Sequence, residues 1–424
     1  MVPRAIVLIL DGLRRDLVSA ETTPHLAAFA AEATRFANHR SVFPSATRVV
    51  SAAFSTGCLP AKNGLHGNTV ALMTDEGLAL FDVGKPEFMA QKRALTGHTL
   101  LRPTMAERLA ERGGVLVYNN VSPGAAYAHD PDAHGTVYHR AGSRGPGFAP
   151  VAEPLDIKIG IDGDKKMARR FIAEAVDGDA ALSVLWLSEP DTTQHAVPLG
   201  SPDHLAVLKK ADAIAGRVIT AVRERGEDTL LLVGSDHGHQ TVTRVIDINA
   251  FLVCEGLKTR GANDVLVAPN GTGALIYVHP AAAGRIPAML EALGAVPWVD
   301  ALHCGAELEK VGHCAQTGPA IAIAMAASDA PNEHGIRGLS AAARPAGGKS
   351  DRLGCGQHGG LGTFEQSPFL AIAGRGFAPG TVRVEATSIV DLAPTVLAHL
   401  GVAHEALDGR DLHAPVEFHG DQRP

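Results

Sequence analysis

Cysteine is scarce in this chain. Its five residues, Cys58, Cys254, Cys304, Cys314 and Cys355, are scattered and form no CxxC pair, so no disulfide framework is encoded. Reduced thiols in a cytoplasmic protein are the expectation. Long apolar runs are missing too. Residues 5–10 (AIVLIL) end at Asp11, far short of a membrane span or a secretory core, and no membrane partner is expected. Positive charge is not in excess, because the formal net charge is −7. That argues against binding a nucleic-acid polymer, while leaving room for a local cationic site facing a small anion. Internal repeats and low-complexity tails are absent, and no pattern specifies an oligomeric state.

What is present suits an α/β enzyme. The 424 residues, 46% hydrophobic and 20% charged, allow two or three domains, or one large domain carrying an insertion. Apolar runs predict strands at 5–10, 114–120, 182–187, 229–233 and 368–373. Helical periodicity marks 24–33, 104–113, 164–176, 203–225 and a segment from near Thr387 to 400. The alternation implies a mainly parallel central sheet with helices on both faces. It loosens after Asp247. Residues 250–345, with a strand-like GALIYV and a helix-like GRIPAMLEALG, read as an inserted cap or lid between two parts of a catalytic core, 1–249 and 346–424.

Acidic and histidine residues recur after the apolar strands. Asp11 follows 5–10, Asp191 and His195 follow 182–187 in SEPDTTQH, and Asp236 and His237 follow 229–233 in GSDHGH. In a parallel sheet these loops share the carboxyl edge, where α/β proteins place ligands. Carboxylate and imidazole together suit zinc or a similar divalent ion, and bound cations would relieve the repulsion among three carboxylates. A further loop, GCGQHGGLG, offers His358 among glycines. Singly, each Asp reads as a turn or cap residue and each His as structural, since 20 histidines place some near carboxylates by chance. Repetition after three strands shifts the balance. His25, His66, His204, His239 and His313 are left as structural, with His239 nearest to supporting the ligands.

A hydroxyl nucleophile has candidates in SVFPSATRVVSAAFSTGCLPAKNGLHGN, residues 41–68. The stretch after Pro44 could open a helix, whose N-terminus favours negative charge. Spacing alone does not choose among Ser45, Thr47 and Ser51.

Together these residues resemble the alkaline phosphatase superfamily, in its type I phosphodiesterase/nucleotide pyrophosphatase branch, which also includes phosphonoacetate hydrolase. ILDGLRRD, FPSATR…STGCLPAKNGLHGN, EPDTTQH, SDHG and GQHGG carry the likeness in order, and SIVDLAPTVLAHLG…LDGRDL closes it. The resemblance implies an alkaline-phosphatase-like three-layer sandwich and two divalent metal ions, expected to be Zn2+. One ion would be held by Asp191, His195 and His358, the other by Asp11, Thr47, Asp236 and His237. Counting back nine residues from Thr56 of the TG motif makes Thr47 the nucleophile. Asn68 matches the asparagine that holds a phosphoryl oxygen, together with the Thr47 backbone N–H. Many relatives carry Asn where Val50 stands, which implies an altered pocket shape.

The activity implied is hydrolysis of phosphodiester or pyrophosphate bonds in a small anionic substrate, through a phospho-threonine. Neutral Asn68, where phosphomonoesterases of the superfamily place Arg, tilts the reading toward diesters. Arg48 stands beside the nucleophile, although a solvent-facing Arg is the commoner case. Cleavage of the C–P bond of phosphonoacetate at the same site is the alternative. It needs cations for the carboxylate, and the loop NNVSPGAAYAHDP, where relatives place lysines, has none, leaving Lys165, Lys166 or Arg102. A sulfatase lacks its C/S-x-P-x-R pattern here, and a cofactor-independent phosphoglycerate mutase would use Ser as nucleophile. In another class stands a non-catalytic zinc-binding protein. Structural zinc sites are usually Cys-rich and closed, and these ligand sets are neither.

Overall fold

A computed structural model describes residues 3–226, 228–347 and 350–413. The outer ends of the two core segments, 1–2 and 414–424, lie outside the described residues, as does Lys349. The central sheet has eight strands. Their order is Val382–Ser388, Thr34–Arg40, Leu370–Ala373, Thr229–Gly234, Arg4–Leu10, Leu182–Leu187, Val115–Asn119 and Thr136–Tyr138. All neighbours pair in parallel except Leu370–Ala373, which is antiparallel to both of its partners.

Arg4–Leu10 is buried along its whole length because helices cover both faces of the sheet. Ala5, Val7 and Ile9 point to one face and join a core with Val49, Ala53 and Phe54 of helix Thr47–Thr56 and Leu392 and Val396 of helix Leu392–His399. Ile6, Leu8 and Leu10 point to the other, against Leu26 and Phe29 of Pro24–Glu32, Phe171 of Ile161–Phe171, and Leu208 and Ile214 of Pro202–Arg225. This period of two explains why a fully apolar strand is needed here. Each such fully buried Leu or Ile contributes about 1.5–3 kcal/mol of transfer free energy. The molecule is thus a three-layer α/β sandwich with a mostly parallel central sheet.

Several elements depart from the sequence reading. Helix Met105–Leu109 is capped by Thr104 but stops short of residue 113. Thr387 lies within strand Val382–Ser388 rather than starting a helix. Ser388 caps the following turn, accepting from the Asp391 backbone while the Asp391 carboxylate receives the Ser388 N–H. Residues 164–176 divide into an α-helix to Phe171 and a wider π-turn, Ile172–Val176.

Residues 250–345 supply a separate antiparallel sheet ordered Val265–Asn270, Gly273–Val278, Ile321–Met325 and Val299–Cys304. Helix Ile286–Gly294 packs on it through Met289 and Leu293. A third sheet joins Ala327–Pro331, Arg337–Ala343, Gln240–Ile246 and Gly356–Gln357. The hairpin Thr69–Thr74/Gly77–Asp82 packs Val70 and Leu78 in a cluster with Leu266 and Ala268 of the antiparallel sheet. Among the described residues no helix is long and apolar enough to cross a membrane.

Candidate active site

The carboxyl edge of the central sheet collects the acidic and histidine residues. Asp11 follows Arg4–Leu10, Asp191 opens the short helix after Leu182–Leu187, and Asp236 and His237 follow Thr229–Gly234. Thr34–Arg40 runs in the same sense, so its exit loop delivers Thr47 to this edge. Leu370–Ala373 runs the other way, so its approach carries His358 there from upstream. Asp11, Asp236, His237 and His358 are buried, and Asp191, His195 and Asn68 are half-buried.

Thr47 is the first residue of helix Thr47–Thr56, where the helix dipole and unpaired backbone N–H groups favour a developing negative charge. Its Oγ1 lies 3.1 Å from His237 Nε2. The same nitrogen is 3.1 Å from Asp236 Oδ2 and 3.5 Å from Asp11 Oδ1. Asp11 Oδ2 accepts from Trp186 Nε1 at 3.1 Å, and Asp236 Oδ1 accepts from the Gly12 N–H at 3.0 Å. On the other side, Asp191 Oδ1 faces Nε2 of His195 at 3.3 Å, His358 at 3.5 Å and His239 at 3.1 Å.

Two features show that these side chains fit divalent cations. Asp11 Oδ1, Asp191 Oδ1 and Asp236 Oδ2 are buried and have no hydrogen-bond partner, an expensive state unless something else satisfies them. The imidazoles are also aimed. His195 Nδ1 donates to the Gly356 carbonyl at 3.1 Å, His237 Nδ1 to the Gly238 carbonyl at 3.1 Å, and His358 Nδ1 to the Ser45 carbonyl at 2.7 Å. Each bond fixes the proton on Nδ1 and leaves the Nε2 lone pair for a metal. His237 and His358 stack with ring centroids 3.6 Å apart and planes 14° from parallel. The candidate ligand atoms fall into two groups, Asp191, His195, His239 and His358, and Asp11, Asp191 and His237, each within 4.8 Å of one another.

Without cations the site works against its own charges. Burial, then Asp236 and Asp191, hold the Asp11 carboxyl well above its usual range. Burial, with Asp191 adding, pushes Asp236 up to about 7. For Asp191 burial also acts upward, but His195 and His239 outweigh it and hold the carboxyl well below the usual range. Burial pushes His237 down to about 3 and, with His237 as neighbour, holds His358 well below its ordinary value.

The side chains of Asp11, Thr47, Asn68, Asp191, His195, Asp236, His237 and His358 lie together at this edge. Asn68 lines it beside Thr47 and Arg48, its Oδ1 unpaired and its N–H donating to Asn270 Oδ1 at 2.5 Å. Ser45 and Ser51 do not compete with Thr47. Ser45 Oγ is tied to the Gly360 carbonyl at 3.1 Å and receives the Gly359 N–H at 2.9 Å, and Ser51 is fully buried. Val50 belongs to the core behind the helix.

The sequence places Arg48 beside the nucleophile, with a solvent-facing role as the commoner case, and gives no sign of Arg140. Arg48 is three-quarters buried rather than solvent-facing, donating to Ser122 Oγ at 3.1 Å and the Asn68 carbonyl at 3.2 Å, with Asp82 3.4 Å away. Arg140 reaches in from beyond the loop that lacks cations, donating to the Asn120 and Val121 carbonyls at 2.6 Å. Both line a cavity of about 220 Å³ with Thr47, Asp11 and Asp191. It adjoins a wider one of about 720 Å³ that shares Arg48, Asn68, His195 and His358 and adds Lys85. Lys165, proposed for this role, lines a different cavity with Lys210 and Arg217. The signal available was a charged residue shortly after strand Thr136–Tyr138, which is itself too short to read.

The fold is similar to solved structures of murine ectonucleotide pyrophosphatase / phosphodiesterase 5, with a TM-score of 0.67 at 19% identity over 96% of this chain and 97% of that one. An inactive threonine-to-alanine variant of that protein in complex with AMP gives 0.66 at 20% identity over the same shares. The human counterpart gives 0.65 at 17%, again over 96% and 97%. No curated protein matches the sequence. Residues 5–301 match the family model described as type I phosphodiesterase / nucleotide pyrophosphatase. The chain is therefore a hydrolase with a His/Asp cluster able to hold metal, and it belongs to the type I phosphodiesterase / nucleotide pyrophosphatase family, within the alkaline phosphatase superfamily.

Proposed function

We propose that this protein hydrolyses phosphodiester or pyrophosphate bonds of small anionic substrates, with Thr47 as nucleophile and two divalent cations, Zn2+ in the first instance. The observation that carries the reading is the position of Thr47 Oγ1 at a helix N-terminus, 3.1 Å from His237 Nε2 and beside unpaired carboxylate oxygens of Asp11 and Asp236. Asp11, Asp236, His237 and Thr47 would hold one cation, and Asp191, His195 and His358 the other. When bound, the pair would neutralise phosphoryl charge and make the Thr47 hydroxyl a stronger acid.

Thr47 Oγ1 bonds to phosphorus as the bond to the leaving oxygen breaks, the hydroxyl proton passing through solvent to the departing alcohol or phosphate, giving phospho-Thr47. Water then attacks phosphorus, the Thr47–phosphorus bond breaks, and phosphate or its monoester leaves. The Asn68 side-chain NH2 and the Thr47 N–H would hold a non-bridging oxygen as charge builds. The inactive threonine-to-alanine relative, which binds AMP, supports both the nucleophile and a nucleotide-like substrate. Residues 250–345, read as an inserted cap, contribute Pro269, Asn270 and Gly271 to the wider cavity and are placed to select the group attached to phosphate.

Cleavage of phosphonoacetate is the second reading, favoured by Arg48 and Arg140 beside Thr47, which supply the cations a carboxylate needs. Turnover of bis-p-nitrophenyl phosphate, p-nitrophenyl phosphate and phosphonoacetate by wild type and Thr47→Ala separates the readings. The diester is expected to turn over fastest. Thr47→Ala is expected to lose at least about 10³-fold in kcat while keeping its metal. Undiminished diester turnover by that variant would remove Thr47 from the chemistry.

A further inference from the structure

We propose that His239 is a fourth protein ligand of the cation held by Asp191, His195 and His358. This rests on the two-cation reading and changes one of its sites. His239 is fully buried, and among the described residues neither ring nitrogen makes a hydrogen bond of good geometry. Its Nε2 stands 3.1 Å from Asp191 Oδ1, nearer than His195 or His358, and that oxygen is also unpaired. A buried imidazole so poorly satisfied is costly, and coordination would remove that cost.

The surroundings are shaped around this ring. A Cβ at Gly12 would lie 2.7 Å from His239 Cε1, and one at Gly356 would lie 2.8 Å from Cδ2. Two glycines thus form the slot, one of them with φ at +73°. The ring sits 5.0 Å from His195 and 4.9 Å from His358, centroid to centroid, both at steep angles. Rings so disposed converge their nitrogens instead of stacking.

The donor set becomes one carboxylate and three imidazoles. Four protein donors saturate a tetrahedral ion, so contact with substrate requires five-coordination at this site. The Asp191 site should then accept ions that tolerate higher coordination numbers, Co2+ and Mn2+ as well as Zn2+.

The test is metal binding by the full-length protein. Metal-free wild type, His239→Ala and His239→Asn are titrated with Co2+ and with Zn2+ against a competing chelator, and the visible spectrum of the Co2+ forms is recorded. Wild type is expected to take two ions. Both variants are expected to bind one of the two about 10–100-fold more weakly, with altered Co2+ bands that added imidazole restores in His239→Ala. In wild type loaded with an NMR-active cadmium isotope, scalar coupling to His239 Nε2 is expected beside those to His195 and His358, a readout independent of variant folding. Absence of that coupling, or two ions bound with wild-type affinity and spectrum in the variants, overturns the inference and leaves the two-cation reading standing. Failure of wild type to bind two ions overturns that reading itself, and the inference with it.

Discussion

At the scale of residues, the site separates groups that hold charge from groups that receive it. Asn68 belongs to the second kind. Its backbone is pinned by Asn270 and Arg48, which sets the side chain beside Thr47, where its NH2 group would donate. Asn68→Ala should keep metal content and fold but lower kcat by roughly 10²–10³-fold, the loss typical of one donor to a developing oxyanion. Steady-state kinetics with a diester checks this, and a change confined to KM would reassign Asn68 to substrate binding alone. Most of these residues were legible in the sequence, because Asp11, Asp191 and Asp236 each follow an apolar strand. His239 was not, because its signal is its orientation, and a histidine two residues beyond a ligand reads as ordinary. The burial of Arg48 and the reach of Arg140 were hidden for a similar reason: they depend on Ser122 and on the Asn120 and Val121 carbonyls, which no linear spacing reveals.

At the scale of elements, the loop carrying His358 has no regular structure and is fixed by a buried carboxylate. Glu365 accepts from the N–H groups of Gly360 at 2.8 Å and Gly362 at 2.9 Å, from Ser45 Oγ at 3.3 Å, and from Thr272 Oγ1. Those four bonds bind the His358 loop to the segment before Thr47 and to the antiparallel sheet. Glu365→Ala leaves three donors unpaired, the Gly360 and Gly362 N–H groups and Thr272 Oγ1, at roughly 1–3 kcal/mol for each that stays buried, while Ser45 Oγ keeps the Gly360 carbonyl. The expected outcome is a clear fall in thermal stability and loss of the Asp191-site cation, with the conservative Glu365→Gln intermediate. Equal metal content in wild type and Glu365→Ala would sink this account. Strands such as Arg4–Leu10 announced themselves because they are buried on both faces. Thr34–Arg40 (TRFANHR) did not, since it alternates buried and more exposed positions near the sheet edge and its polar residues break any apolar run. The hairpin Thr69–Asp82 was missed for the same reason, its buried residues packing outside the central sheet.

At the scale of the whole molecule, the site gathers groups from five separated stretches of chain, and cations there would tie the two halves of the core together. Removing them should therefore cost stability globally. A ligand bound only by the folded state stabilises by about 4 kcal/mol at a thousand times its dissociation constant. The pH dependence has a definite sign. In the metal-free protein the Asp236 carboxyl sits at about 7, above its ordinary 3.8, through burial first and Asp191 next. A folded-state value raised in this way contributes stability that is fully present below the unfolded value and is lost as pH rises through 7. Asp11 is shifted in the same direction. Cations bind the deprotonated carboxylates, so their affinity rises over the same interval as protons are released. The difference in Tm between metal-loaded and chelator-treated protein should accordingly be larger at pH 8 than at pH 6. Calorimetric metal titrations in buffers of different ionisation enthalpy should register proton release near pH 6 that fades toward pH 8. A Tm difference that shrinks with rising pH would mean that the buried carboxylates are not where the cations bind.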